Sequence, residues 1–112
     1  MAFSKKHLYP LADQRVAEYC KAIAYPGRID ALRTLHYHGK LTVKELYQHQ
    51  DSALSSIHPI SEESFSDHLA ILRNAHLITP EERFPYTFYK IHEDNVQQAA
   101  LLITAYFSLF SK

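Results

Sequence analysis

The segment from Ala99 to Phe110 is apolar at every position except Thr104 and Ser108. Asp94 precedes it as a candidate N-cap residue, so the segment is predicted to form the last helix of the chain. A helix that is apolar nearly all round needs two surfaces to bury it. A chain of 112 residues with 46% apolar content builds one core, which covers one of those surfaces. A second subunit is therefore predicted to cover the other surface.

Several classes of protein are disfavoured by the composition. No apolar run approaches the roughly 20 residues of a membrane span, and Met1–Pro10 lacks the apolar core of a signal peptide, so we expect a cytoplasmic protein without a membrane partner. Cys20 is the single cysteine, which excludes an internal disulfide framework. We expect Cys20 to be a buried small apolar residue. The alternative is an exposed redox-active thiol that links two subunits.

Two amphipathic helices are predicted in the first third of the chain. The first helix ends near Ala24, and the second helix begins at Pro26 and ends before Gly39. The inward positions of the first helix are Ala12, Val16, Tyr19, Cys20 and Ile23. Those of the second helix are Ile29, Leu32 and Leu35.

Two further helices and a hairpin follow. Thr42 is predicted to cap a short third helix, in which Val43, Leu46 and Tyr47 face inward. Ser61 is predicted to cap a fourth helix, which runs to Asn74. Between them a loop is predicted from Gln50 to Pro59, although Asp51–Leu54 either extends the third helix or forms a separate turn. The fourth helix places Phe65, Leu69 and Leu72 inward, at i, i+4 and i+7.

The hairpin is predicted from two segments rich in β-branched and aromatic residues, 77–79 and 86–91, joined by the segment 81–85. Alternation along the second strand is expected to place Phe88 in the core and to leave Tyr86 or Tyr89 exposed. The predicted fold class is mainly α with a β-hairpin, a winged helix-turn-helix of about five helices and a two-stranded wing. Residues 1–10 are expected to form a tail and residues 11–112 the domain.

Four segments resemble, in order and approximate spacing, the successive signatures of the ArsR-type bacterial regulators. These are Ala22–Leu32, Leu41–Leu46, Phe65–Leu72 and Phe88–Ile91. The resemblance implies a DNA-binding repressor that binds its operator as a homodimer, often under the control of an effector, which the sequence does not identify. The first and last helices would form the dimer interface, with Val16, Tyr19, Cys20, Leu102, Tyr106, Phe107 and Phe110 as its residues.

The resemblance also assigns the DNA contacts. Glu62, Ser64, Ser66 and Asp67 on the fourth helix would lie near base edges, and Lys44, Arg73 and Arg83 near phosphates. The carboxylates Glu62, Glu63 and Asp67 are unusual for such a helix, because negative groups oppose approach to DNA. One of them can accept a hydrogen bond from cytosine N4. Alternatively, Glu62 and Glu63 simply favour the positive end of their helix dipole.

A second class of function follows from the same acidic helix. The chain can instead be a winged-helix protein-interaction module whose DNA-binding surface has degenerated.

An enzyme is not expected, because Gly27 and Gly39 cannot build a glycine-rich phosphate loop and no nucleophile motif is present. No metal site and no cofactor are predicted, since His36 and His38, at i, i+2, point to different helix faces. His76 follows the fourth helix, where the family commonly has glycine, and is predicted to adopt a left-handed conformation.

Overall fold

The structure, a computed structural model, describes residue 5, residues 8–54 and residues 60–111, with only the backbone described for 51–54. Most of the predicted tail and part of the predicted loop, residues 1–4, 6–7 and 55–59, lie outside the described residues. Five helices and three strands are described: α1 Leu11–Ala22, α2 Pro26–His38, β1 Lys40–Thr42, α3 Val43–Leu54, α4 Glu62–Asn74, β2 Ile78–Arg83, β3 Tyr86–Ile91 and α5 Glu93–Ser108. The predicted fold class is confirmed.

Helix ends follow local side-chain chemistry. Thr42 and Glu45 form a capping box before α3, in which the Thr42 N–H donates to Glu45 Oε1 over 2.9 Å and the Glu45 N–H donates to Thr42 Oγ1 over 3.2 Å. The hydrogen bond from the Thr42 N–H, and a second one from the Thr42 hydroxyl to Glu45 Oε1 over 3.1 Å, lower the pKa of the Glu45 carboxyl. Ser61 caps α4 as predicted, because its Oγ accepts the Ser64 N–H over 3.0 Å.

One predicted boundary is wrong. The N-cap of α5 is His92, whose Nδ1 accepts the Asn95 N–H over 3.2 Å, whereas Asp94 lies inside the first turn. The strand β3 ends at Ile91, as predicted, and α5 begins at Glu93, earlier than a cap at Asp94 implied. Of the two alternatives for Asp51–Leu54, the structure shows that this segment extends α3.

The sheet has one strand more than predicted. Its order is β1-β3-β2, with both pairings antiparallel, and β1 pairs Leu41 with Tyr89. The expected alternation in β3 has the wrong phase, because Tyr89 is buried against the helices and Phe88 lies on the opposite face beside the exposed Tyr86. The wing is also longer than predicted, since β2 extends to Arg83 and leaves Phe84 and Pro85 as the connection.

One core holds these elements together. Its fully buried side chains come from α2, α3, α4 and β2, and the largest are Phe65, Leu35, Leu46, Leu69, Leu72 and Ile78. Ile29 is not among them, because it is 43% exposed and Ala31 occupies the inward position of α2 instead. Within the described part of the chain, no helix has the length and apolar character needed to span a membrane.

Candidate nucleic-acid interface

The outward face of α4 is the centre of the candidate interface. Phe65, Leu69 and Leu72 turn one face of this helix into the core, so the opposite face is free to meet a partner. Glu63 and Asp67 lie along that opposite face at i, i+4, and both are exposed. Neither carboxylate makes an ion pair with a residue that the structure describes. The sequence-based selection included Asp67 but not Glu63.

The remaining predicted base contacts surround this face. Glu62 and Ser66 are exposed on α4. Ser64 is exposed too, but its hydroxyl already takes part in the N-cap, with Ser61 Oγ and Ser64 Oγ 3.1 Å apart. Glu62 and Glu63 occupy the first turn of α4, where a negative charge favours the positive end of the helix dipole. A structural role for these two carboxylates is thus compatible with their position.

The beginning of α4 is held by α3. The Tyr47 hydroxyl donates to the carbonyl oxygen of Ile60 over 2.7 Å, and the ring of Tyr47 packs against Phe65 with centroids 5.7 Å apart. These contacts fix the segment that enters α4. The helix therefore starts in a defined direction relative to α3.

The middle of α4 is joined to the end of α1 through a network that the sequence did not predict. Arg28 Nη1 lies 3.0 Å from His68 Nδ1, and Arg28 Nε donates to the carbonyl oxygen of Ala22 over 2.6 Å. His68 also stacks on Tyr25, with ring centroids 4.5 Å apart. Because an arginine only donates, His68 Nδ1 must accept.

The pKa of His68 is lowered from its usual range. Burial is the largest cause and the positive charge of Arg28 is the second, while Asp67 acts in the opposite direction. Protonation of Nδ1 would remove the acceptor for Arg28. The neutral imidazole is therefore the form that joins α4 to α1.

The end of α4 is closed by a left-handed residue, as predicted. His76 has a φ of 61°, its N–H donates to the Arg73 carbonyl over 2.9 Å, and the Leu77 N–H donates to the Leu72 carbonyl over 3.0 Å. This is the Schellman arrangement, in which two otherwise unpaired carbonyl groups of the last turn are satisfied. Leu77 and Leu72 are both buried, which adds the apolar contact that accompanies this motif.

The wing carries a cluster of charges around Glu81. Its carboxylate lies 2.5 Å from Lys40 Nζ, 3.1 Å from Arg83 Nε and 3.6 Å from Lys90 Nζ. The hydrogen bonds from Lys40 and Arg83 lower the pKa of Glu81 to about 2. Arg83, a predicted phosphate contact, is therefore engaged within the protein. Lys40 belongs to this cluster because β1, which the sequence did not reveal, brings it beside Lys90.

The other predicted phosphate contacts are less constrained. Lys44 is exposed in the first turn of α3, and Arg73 is exposed in the last turn of α4. Neither side chain forms an ion pair with a residue that the structure describes.

The predicted dimer residues lie on α1 and α5, which pack against each other, except Phe110, which follows the end of α5. Tyr106, Phe107 and Phe110 are 41%, 60% and 66% exposed, and Tyr106 contacts both phenylalanines at centroid distances of 5.4 Å. Leu101 and Leu109, which were not selected from the sequence, are more exposed still. Together these five side chains, on α5 and the two residues that follow it, are the exposed apolar surface of α5.

The remaining predicted interface residues are partly or fully covered within the protomer. Leu102, Val16 and Cys20 are half-buried, so the expected full burial of Cys20 is not seen in the protomer. Tyr19 is 8% exposed, and its hydroxyl donates to Gln98 Oε1 over 3.1 Å. Tyr19 thus joins α1 to α5 inside one protomer.

Histidine side chains on α2 and α3 lie close to other rings. His38 packs against His49 with ring centroids 4.3 Å apart, and His36 contacts Tyr37. No group of three or more His, Cys, Asp or Glu side chains within the described ranges is arranged to hold a metal ion.

Comparisons with known proteins give structural matches only. Neither a scan against protein-family models nor a comparison with curated protein sequences finds a match. One similar crystal structure is that of a possible transcriptional regulator for arsenical resistance, with 25% identity, a TM-score of 0.64 and coverage of 78% of this chain and 81% of that chain.

Two further matches cover more of the chain. A homodimeric winged helix-turn-helix DNA-binding domain from Mycobacterium bovis, described as a possible ArsR-family regulator, has 23% identity, a TM-score of 0.65 and coverage of 94% of this chain and 89% of that chain. The transcriptional repressor BigR from Xylella fastidiosa has 24% identity, a TM-score of 0.57 and coverage of 98% and 99%. The chain therefore has the winged helix-turn-helix fold of the ArsR-type regulators.

Proposed function

We propose that this chain is a DNA-binding transcriptional regulator that acts as a homodimeric repressor. The observation that carries the proposal is the way α4 is mounted. Tyr47 holds the beginning of the helix, the Arg28–His68 contact holds its middle, and the turn at His76 closes its end. The face that contains Glu63 and Asp67 stays exposed. A helix held at three points with one polar face outward suits insertion into a major groove.

Within this proposal, Asp67 is the strongest candidate for a base contact. It lies on the outward face of α4, and a carboxylate can accept a hydrogen bond from cytosine N4. Ser66, Ser64 and Glu62 flank it, and a serine hydroxyl can both donate and accept. Glu62 and Glu63 additionally stabilise the first turn of α4 through the helix dipole.

Lys44, Arg73 and Arg83 are proposed to contact phosphates. Lys44 and Arg73 stand on the two helices of the helix-turn-helix, α3 and α4, and both are exposed. Arg83 stands on the wing and would exchange part of its contact with Glu81 for a phosphate. Phosphate contacts of this kind fix the orientation of the protein on the duplex without reading its sequence.

Dimer formation is proposed through the exposed apolar surface of α5 together with α1. Large exposed apolar patches on a soluble domain mark interaction sites, and a two-fold dimer covers the same patch on both subunits. The match from Mycobacterium bovis is described as homodimeric and BigR as a repressor, which supports both parts of the proposal by similarity.

The second candidate function is a protein-interaction module, and two specific observations favour it. The exposed carboxylates of α4 have no described ion-pair partners, and the wing cations Lys40, Arg83 and Lys90 share the carboxylate of Glu81. Such a surface repels phosphates on α4 and offers few uncommitted cations on the wing. A basic protein partner would suit it better than DNA.

Selection of bound fragments from sheared genomic DNA tests the first function. A dimeric regulator should enrich fragments with an inverted repeat whose half-sites lie about 10 bp, or a multiple of it, apart. The variant Asp67→Asn should change the preferred base at one symmetric position, whereas Asp13→Asn, which alters an exposed carboxylate on α1, should not. Unselective recovery or no recovery would favour the interaction module.

A further inference from the structure

A cleft of about 530 Å³ lies where the end of α4, the beginning of β2 and the residue before α5 meet. It falls within the range of about 300–1,000 Å³ typical of small-molecule sites. Its walls come from three elements whose relative positions are fixed by the turn at His76 and by the His92 N–H, which donates to the Leu77 carbonyl over 2.9 Å. The cleft is therefore built on a rigid frame.

Each polar side chain of the cleft can donate a hydrogen bond. Arg73, Asn74 and Thr79 line it, and none of their side chains makes a hydrogen bond or ion pair with another described residue. A guanidinium presents two parallel N–H donors, which match the two oxygens of a carboxylate. These groups are available to a ligand.

His92 adds a donor whose identity follows from its hydrogen bond. Its Nδ1 accepts the Asn95 N–H, so the neutral ring carries its proton on Nε2. On the neighbouring wall, Asn95 Nδ2 donates to the His76 carbonyl over 2.9 Å. Asn95 thus occupies both the His92 Nδ1 and the His76 carbonyl oxygen, and the Nε2–H of His92 remains available to a ligand.

The lining also has an apolar part and no carboxylate. The exposed ring of Pro80 lies beside the donors, and Ile78 borders the cleft although its side chain is buried in the core. Glu93 and Asp94 follow His92 in the first turn of α5 but do not line the cleft. One positive charge, several donors and an apolar wall form a complementary surface for a small anion with an apolar body.

We infer that this cleft binds a small organic carboxylate, with the carboxylate on Arg73 and the apolar body against Pro80. Inorganic phosphate would use the donors but leave the apolar wall without a partner. A DNA phosphate is a different occupant, which would meet Arg73 at the mouth of the cleft. The inference goes beyond the proposed function, because ligand binding here requires no DNA.

Titration of the ¹⁵N-labelled full chain with sodium benzoate, followed by amide chemical shifts, tests the inference. Saturable shifts are expected at the backbone amides of residues 73–79 and 92–95. Arg73→Gln should weaken the binding about tenfold through loss of a charge-assisted contact. Arg33→Gln, an equal loss of charge on α2 away from the cleft, should leave the benzoate affinity unchanged.

The other outcomes overturn the inference. The cleft does not bind carboxylates if the shifts fail to saturate or fall outside these segments. The same conclusion follows if Arg73→Gln and Arg33→Gln bind benzoate equally well. Saturation by inorganic phosphate with no response to benzoate would assign an anion site without an apolar component. Loss of duplex DNA binding in Arg73→Gln, with no benzoate binding by the unmodified chain, would make Arg73 a DNA-phosphate contact alone.

Discussion

Replacement of Glu81 by glutamine is expected to strengthen DNA binding and to steepen its dependence on salt. The Glu81 carboxylate lies within 3.6 Å of Lys40, Arg83 and Lys90, and its pKa is about 2. It is therefore ionised throughout the neutral range and offsets one of three positive charges on the wing. Glutamine has nearly the same shape without the charge, so the wing gains one net positive charge.

The size of the effect follows from counterion release. The logarithm of the binding constant falls with the logarithm of salt concentration by about 0.9 for each phosphate that the protein neutralises. One additional wing charge that reaches a phosphate should steepen the slope by about 0.9, so the advantage of Glu81→Gln should shrink about 3.5-fold between 50 and 200 mM salt.

Fluorescence anisotropy with a labelled duplex at a series of salt concentrations measures this slope. Asp13→Asn makes the same change in net charge on α1, and it should leave the slope close to that of the unmodified chain. Equal slopes for Glu81→Gln and Asp13→Asn would refute the reasoning, because the wing cations would then not face phosphates.

Three further predictions concern stability and assembly. His76→Gly should raise the free energy of unfolding, measured in urea, by about 1 kcal/mol, because glycine adopts the φ of 61° without strain. A lower stability of this variant would show that contacts of the histidine side chain contribute more than the backbone strain costs. The pKa of His68 is lowered in the folded state, chiefly by burial and then by Arg28, so stability should fall as pH decreases below the ordinary value of 6.5. His68→Gln should reduce this loss, and equal pH profiles for the two proteins would contradict the lowered pKa of His68. Phe107→Asp should convert the dimer to monomers, as measured by sedimentation velocity, whereas Gln97→Asp, at an exposed position earlier on α5, should leave the dimer intact. An unchanged dimer in Phe107→Asp would exclude the proposed interface.

The helices were predictable because their information is local. The spacing of Phe65, Leu69 and Leu72 defines the buried face of α4, and Ser61 marks its beginning through one side-chain hydrogen bond. The left-handed conformation of His76 also follows from the sequence, since a helix of this kind ends in a turn that requires it. The same features provided the position of the candidate interface.

The sheet and its charges were not predictable in the same way. The strand β1 has three residues, and what makes it a strand is its pairing with β3, far away in the sequence. Its Leu41 covers Tyr89, which sets the buried face of β3 and reverses the expected roles of Tyr89 and Phe88. Glu81 and Arg83 resembled loop residues because they are polar, but cross-strand contacts keep them in β2.

Contacts between distant segments account for the rest of the site. Arg28 and His68 are 40 positions apart, and neither residue signals the other in the sequence. The cleft beside Arg73 similarly depends on three elements that meet only in the fold. Sequence patterns thus identified the helix whose exposed face is proposed to meet a partner, whereas the arrangement of charges around that face required the structure.

The most direct measurement of the central claim is the binding of a duplex enriched from genomic DNA, compared with a scrambled duplex of equal length, at two salt concentrations and neutral pH. The account predicts tighter binding of the enriched duplex and a binding constant that falls with salt for both. Equal affinities would remove the claim of sequence recognition. No binding of either duplex at low salt would contradict the DNA-binding function and leave the acidic face of α4 as a surface for a protein partner.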